Sequence, residues 1–278
     1  IKAALRQKGT KGERVMAAAI DELKQIDDKG SWKPVAKSSL SRQELKGIVR
    51  TFMFVIDKFT PAGEVIKVKA RLVAMGNMQD PSSIAMDTSA PTVDITSVLA
   101  MAAISAMEKR HVMTCDVGGA FLHTVWPKTE GRQIVHLDKV NTSILLQIKP
   151  EYKQFVAADG TILMDLERGL YGLVQSARLW YNRLVEVLQK EGYQANPADP
   201  CVFNKGSAAN QSTVMFHVDD LSCSSHDMKM LKRLEELLIS EFGKEHIKCV
   251  WGMDHSYLGM RFLYMGDGTV RVSMTGYI

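Results

Sequence analysis

Two adjacent aspartates sit inside an apolar, β-forming run, and no other feature of the sequence constrains the fold as strongly. Residues 213–218 (TVMFHV) are mostly apolar, Asp219 and Asp220 interrupt them, and Leu221-Ser222-Cys223 resumes the run. Both arms read as strands, so the acids must emerge at a tight turn between them. One aspartate at a strand end is ordinarily a turn residue. Two side by side repel, and each resists ionising unless a cation is near. Hard divalent cations take oxygen ligands, and Mg2+ typically uses one or two carboxylates together with substrate phosphates. A third acid, Asp116, ends another apolar strand, His111 to Val117. If the two strands are neighbours, Asp116 and Asp219 span a pair of ions about 3.5–4 Å apart, an arrangement that serves in-line phosphoryl displacement.

After Asp116, Gly118 and Gly119 let backbone approach a ligand closely. Phe121 follows, as a pocket wall or as a core aromatic anchoring the strand's exit. A second cue lies in residues 50–75, which read as a β-hairpin turning at Thr60-Pro61-Ala62-Gly63. On its return arm Ile66, Val68, Ala70 and Leu72 alternate with Lys67, Lys69 and Arg71. Three cations on one strand face suit an anion. The plain alternative is a charged edge that discourages aggregation.

Composition narrows the class. The 278 residues are 46% hydrophobic and 24% charged, which excludes disorder and fibrous structure as descriptions of the chain. The net charge of +4 is uneven: residues 1–80 hold 16 Lys plus Arg against 9 Asp plus Glu, and the remainder holds 19 against 22. A basic first part suits a polyanionic partner, or simply forms a solvated face. A chain of this length buries about 70–75% of its unfolded surface, so no metal or disulfide staple is required. The four cysteines form no close pair, so neither a zinc finger nor a redox motif is expected; with 16 methionines they fit a reducing interior. No run reaches about 18 apolar residues, so no membrane span is expected. There is no signal peptide, and the opening Ile1 reads as the start of a piece of something longer.

The remaining elements follow from periodicity and stop signals. A short amphipathic helix is expected over 13–29, with Val15, Met16, Ala19, Ile20 and Leu23 on one stripe. A helix over 94–110 is apolar nearly all round and is expected to be buried. Residues 126–168 read as short strands and turns, and Gly169-Leu170-Tyr171-Gly172 as a loop. A helix over 176–191 stops at Gly192, and one over 227–242 buries Met230, Leu231, Leu234, Leu237, Leu238 and Phe242. Short strands are expected over 257–263 and 269–274. This order argues for an α+β fold, with an antiparallel sheet covered by helices on one side.

Six segments, in order, resemble the copia-type LTR-retrotransposon reverse transcriptases: KARLVAMGNMQ (69–79), SAPTVDITSVLAMAA (89–103), CDVGGAFLH (115–123), LYGLVQSARLWYNRL (170–184), FHVDDLS (216–222) and YLGMRF (257–262). The likeness covers about residues 32–278. It implies an α+β polymerase right hand with fingers, an antiparallel palm sheet backed by helices, and a thumb absent or incomplete. The implied division is an N-terminal helical extension over 1–31, fingers over 32–90 and 125–170, and a palm with a primer-holding hairpin over 91–124 and 171–278. Asp116 matches the first catalytic aspartate, with the Val117 carbonyl as a further metal ligand, and Asp219 and Asp220 match the paired aspartates. Phe121 matches the aromatic gate that excludes the ribose 2′-hydroxyl. Gly119 and Ala120 would offer N–H groups to the triphosphate, Lys69 and Arg71 would clamp its phosphates, and Gln175 would line the nucleotide and template pocket. Leu258 and Gly259 match the hairpin that holds the primer terminus. The resemblance further implies two Mg2+ ions (or Mn2+), an RNA or DNA template with primer, dNTPs, and RNase H and integrase domains in a precursor. It places the protein in virus-like particles in the cytoplasm, with the nucleus as an alternative.

Several positions depart from the family pattern: His217 replaces a Tyr, Val174 a Lys, Gly118-Gly119 a Lys-Thr pair, and Thr96 an Arg. None removes a metal ligand. Three readings stand at this stage: a templated DNA polymerase domain, a decayed or non-enzymatic nucleic-acid-binding relic of such an element, and an unrelated metal-dependent phosphotransferase. Tyr171, Trp180 and Tyr181 either stack on bases or belong to the core.

Overall fold

A computed structural model describes residues 10–59, 65–207 and 210–274. The fold is mixed α+β, in two compact units: residues 1–88 with 121–179, and residues 89–120 with 180–278.

In the first unit, β1 (Trp32–Val35), β2 (Val49–Phe59), β3 (Val65–Ala74), β5 (Ile134–Leu137) and β6 (Ile162–Leu166) form one sheet in the order β1-β6-β5-β2-β3. The pairing is antiparallel except between β2 and β5. Helix α1 (Thr10–Asp28) packs against β3 and contributes Val15, Ala18, Ala19, Leu23 and Ile26 to the core. The described part of the segment expected as an N-terminal extension, residues 10–31, therefore belongs to this unit. The expected hairpin forms from β2 and β3, and its turn lies outside the described residues. Val68, Ala70 and Leu72 are buried as the alternation requires, whereas Ile66 is exposed.

Besides the one-turn helix α2 (Arg42–Lys46), this unit holds α4 (Lys139–Ile148), in a segment expected to contain only short strands and turns. Its sequence, KVNTSILLQI, is rich in β-branched residues and weak in helix propensity. The Asp138 carboxylate capping the Asn141 N–H, and burial of Ile144 and Leu145, override that preference.

In the second unit, β4 (His111–Val117), β7 (Gln194–Asn196), β8 (Asp199–Lys205), β9 (Ser212–His217), β10 (Asp220–Ser225) and β11 (Ile247–Trp251) form an antiparallel sheet in the order β11-β4-β10-β9-β8-β7. Helix α6 (Met228–Phe242), capped by Asp227, buries Leu231, Leu234, Leu238 and Phe242 and packs on β10, β4 and β11. Each such side chain contributes about 1.5–3 kcal/mol. Met230 and Leu237, expected on that stripe, are only partly buried. Helix α5 (Ser176–Lys190) stops before Gly192, whose φ of 89° ends it as expected. Strands β12 (Asp254–Tyr257), β13 (Met260–Tyr264) and β14 (Val270–Ser273) form a small third sheet. The single strand expected over 257–263 is thus broken into two arms, because Leu258 and Gly259 take φ of 51° and 76° and turn the chain.

Helix α3 (Ile95–Met107) departs from expectation. Val98, Met101, Ala102, Ser105 and Ala106 are buried, but Ile95, Leu99 and Ile104 are exposed, and Met107 is 73% exposed. An all-apolar helix carries no periodic signal to tell a packed face from an open one, and here only one side meets the unit. The cysteines also depart: Cys115 on β4 lies directly opposite Cys249 on β11, and the two are joined in a disulfide.

Candidate active site

Strand register assembles the acidic residues. β10 pairs with β4 so that Asp220 faces Asp116, and with β9 so that Asp220 faces His217. Directly opposed residues have Cβ atoms about 4.5–5.5 Å apart, so Asp116 and Asp220 share one face of the sheet. The partner of Asp116 across the ladder is Asp220, not Asp219. Asp219 lies in the two-residue turn with Val218, where its carbonyl accepts from the Val117 N–H at 2.9 Å. Asp116 and Asp219 are half-buried and Asp220 is exposed.

The turn is strained and held. Val218 has a φ of 56°, a left-handed conformation that β-branched side chains avoid. Positive φ at only the first central position matches a II′ hairpin turn, where glycine is favoured. The indole Nε1–H of Trp180, itself fully buried against Phe242, donates to the Val218 carbonyl at 2.6 Å. Such strain persists where the surroundings over-determine it.

Among the described residues, no group of three or more His, Cys, Asp or Glu is placed to hold a metal ion. What the turn offers is a pair of carboxylates on one face. That oxygen donor set fits a hard divalent cation that completes its shell with water and phosphate oxygens, rather than a closed protein cage. Beyond Asp116, the Gly118 N–H donates to the His246 carbonyl at 2.7 Å. Gly119 has a φ of 71°, and a 3-10 turn follows from Ala120 to His123. The first N–H groups of such a turn have no partner within it.

In the first unit, the Arg71 Nη1 donates to the Glu22 Oε2 at 2.9 Å, and the Leu72 N–H donates to the Glu22 Oε1 at 3.1 Å. Burial pushes the Glu22 carboxyl above its ordinary value; the charge of Arg71, the Leu72 N–H and, more weakly, the charge of Lys69 act against this. The Arg71 guanidinium lies over the Tyr171 ring at 4.9 Å, and the same ring meets Phe121 edge-on at 4.9 Å. Arg71 and Phe121, named separately from sequence, are therefore linked through Tyr171. The Ala74 N–H donates to the Tyr171 carbonyl at 2.7 Å, which ties the loop to β3. Gly172 makes that approach possible: it has a φ of 88°, and a Cβ there would lie 2.1 Å from the Ala74 carbonyl oxygen.

Gln175 is placed differently from an open pocket wall. It is 2% exposed, accepts from the Gln79 Nε2 at 2.9 Å and donates to the Glu130 Oε2 at 3.3 Å. Leu258 and Gly259 form the tip of the β12–β13 hairpin. Trp180 is core, and the Tyr181 hydroxyl donates to the Pro200 carbonyl at 2.9 Å.

Sequence reasoning missed two supports, Glu22 and Trp180. Glu22 had a visible signal: an acid three residues after Ala19 and four before Ile26, in line with the apolar stripe of α1. Trp180 had none, since a buried tryptophan is ordinary.

Comparison with known proteins identifies the family. Residues 39–278 match the family described as reverse transcriptase (RNA-dependent DNA polymerase). The chain belongs to that family, and its relatives are of the copia type. It is 25% identical over 201 residues to the retrovirus-related Pol polyprotein from transposon TNT 1-94 of Nicotiana tabacum, covering 72% of this chain and 14% of the relative. With the Pol polyprotein from transposon RE1 of Arabidopsis thaliana it shares 25% over 226 residues, 80% of this chain and 14% of the relative. With the transposon Ty1-BR Gag-Pol polyprotein of Saccharomyces cerevisiae it shares 22% over 210 residues, 74% and 11% respectively. The chain thus spans about one seventh or less of these relatives. No helix among the described residues is long and apolar enough to cross a membrane.

Proposed function

We propose that this chain is the polymerase portion of a retrotransposon Pol protein, adding dNTPs to a primer 3′-hydroxyl on an RNA or DNA template. The observation that carries the reading is Asp116 directly across the ladder from Asp220, beside a strained turn holding Asp219. The second unit then corresponds to a palm with its primer-holding hairpin, and the first to fingers.

Asp116, Asp219 and Asp220, with the Val117 carbonyl, would hold two Mg2+ ions. When bound, these would ease deprotonation of the primer hydroxyl and stabilise the leaving pyrophosphate. The chain's own groups do the rest. Lys69 and Arg71 neutralise charge on the phosphates, and the Gly119 and Ala120 N–H groups donate to phosphate oxygens. The Phe121 ring, fixed by Tyr171, blocks a 2′-hydroxyl. Gln175 acts indirectly, through the amide network it makes with Gln79 and Glu130. Leu258 and Gly259 support the primer end. RNase H and integrase domains of the same precursor, and a virus-like particle in the cytoplasm, complete the setting.

The test is Mg2+-dependent extension of a primed template. Asp219→Asn should abolish extension with an unchanged circular dichroism spectrum, and Phe121→Ala should admit ribonucleotides. An Asp219→Asn variant that extends primers like the parent removes the assignment. A parent that binds primed template but never extends it favours the relic.

A further inference from the structure

We propose that Glu22 is a positioning residue for the phosphate-binding Arg71, which makes helix α1 a working part of the nucleotide site. This rests on the reading of Arg71 given above, and goes beyond it because α1 lies outside the span, 39–278, that matches the family.

Glu22 stands in line with the apolar stripe of α1, a position that packing alone would fill with an apolar residue. Burying a carboxylate there is costly unless its partners are well placed. It is 4% exposed, and one group fixes both the backbone and the side chain of adjacent β3 residues: Oε1 takes the Leu72 N–H and Oε2 takes the Arg71 Nη1. The Arg71 side chain is 19% exposed, and Tyr171 covers one face of its guanidinium. Arginine presents five N–H donors in a rigid fork. With Nη1 held by Glu22 and one face on Tyr171, the rest of the fork is aimed in a single direction. A phosphate meeting this fork does not have to order a flexible side chain first.

Glu22 could instead merely tie α1 to the sheet, and a double-mutant cycle on the full chain separates the two roles. E22Q keeps the size of the side chain and still accepts from the Leu72 N–H, but loses the charge that holds Arg71. E22Q, R71A and the double variant are compared by KM and kcat for dNTP in primer extension, and by calorimetric titration with inorganic tripolyphosphate, which needs no turnover. E22Q is expected to raise KM about tenfold with kcat little changed, and to add nothing once Arg71 is absent. A lowered melting temperature with unchanged KM overturns the proposal, as does an equal E22Q effect in the R71A background. R71K serves if E22Q does not fold: one ammonium cannot hold the carboxylate and present a fork together, so KM should rise, and an unchanged KM overturns the proposal. R71A weakening tripolyphosphate binding while E22Q does not sinks this inference alone. A native chain that neither extends primers nor binds tripolyphosphate sinks the polymerase reading, and this one with it.

Discussion

Val218 carries a backbone conformation that costs on the order of 1–3 kcal/mol, at the residue just before the paired aspartates. Its carbonyl receives the Trp180 indole N–H, so the buried ring and the paired acids are one mechanical unit. Trp180→Phe keeps an aromatic packed on Phe242, deletes the donor and shortens a fully buried ring. We expect a loss of about 2–4 kcal/mol in urea unfolding, from the orphaned carbonyl and the cavity together, with a larger relative fall in primer extension than in stability. Full activity in that variant would show that the turn keeps its shape unaided. At this scale the acids were legible, because two adjacent like charges in a β run repel each other and add nothing to packing. The supports were not, because a hydrogen bond from residue 180 to residue 218 leaves no local pattern.

Single elements show where periodicity succeeds and fails. The β3 alternation and the α6 stripe were readable, since each element has one wet face and one dry one. Helix α3 was not, since its apolar residues surround it. Strand β12 is tied to β4 by His255, whose Nε2 lies 2.8 Å from the Gly252 carbonyl and must donate to it, leaving Nδ1 to accept from the Thr114 hydroxyl at 3.2 Å. Burial holds the His255 imidazole below its ordinary value. The unfolded chain therefore binds this proton first. The contribution of neutral His255 is complete above the unfolded value of about 6.5 and is lost as pH falls toward and through the folded one. Stability should decline below that pH by up to about 1.4 kcal/mol per unit for this single proton. His255→Gln should flatten the decline in urea unfolding between pH 7 and pH 5. An identical pH slope in that variant would assign the acid sensitivity elsewhere.

At the scale of the whole molecule, the disulfide between Cys115 and Cys249 closes a loop with a sequence separation of 134, one residue from Asp116. Constraining so long a loop in the unfolded chain is worth on the order of 4–5 kcal/mol in the chain-entropy account. Dithiothreitol should lower the guanidinium midpoint of the native protein and leave that of a Cys115→Ala/Cys249→Ala variant unmoved. Equal midpoints with and without reductant in the native chain would show that the bond contributes nothing.

The sequence by itself determined the acidic turn, the alternating basic strand, most helices and the family, because each is written in neighbouring residues at fixed periods or in motifs kept in order. The tertiary structure alone decided that Asp220 is the ladder partner of Asp116, that Cys115 meets Cys249, that Glu22 holds Arg71, that Gln175 is sealed in an amide network, and that one face of α3 stays open. Those outcomes depend on strand register and on which surface packs against which. Both are settled by the burial of the whole unit, and spacing along the chain, which can mark a residue such as Glu22 as out of place, does not name the partner it meets.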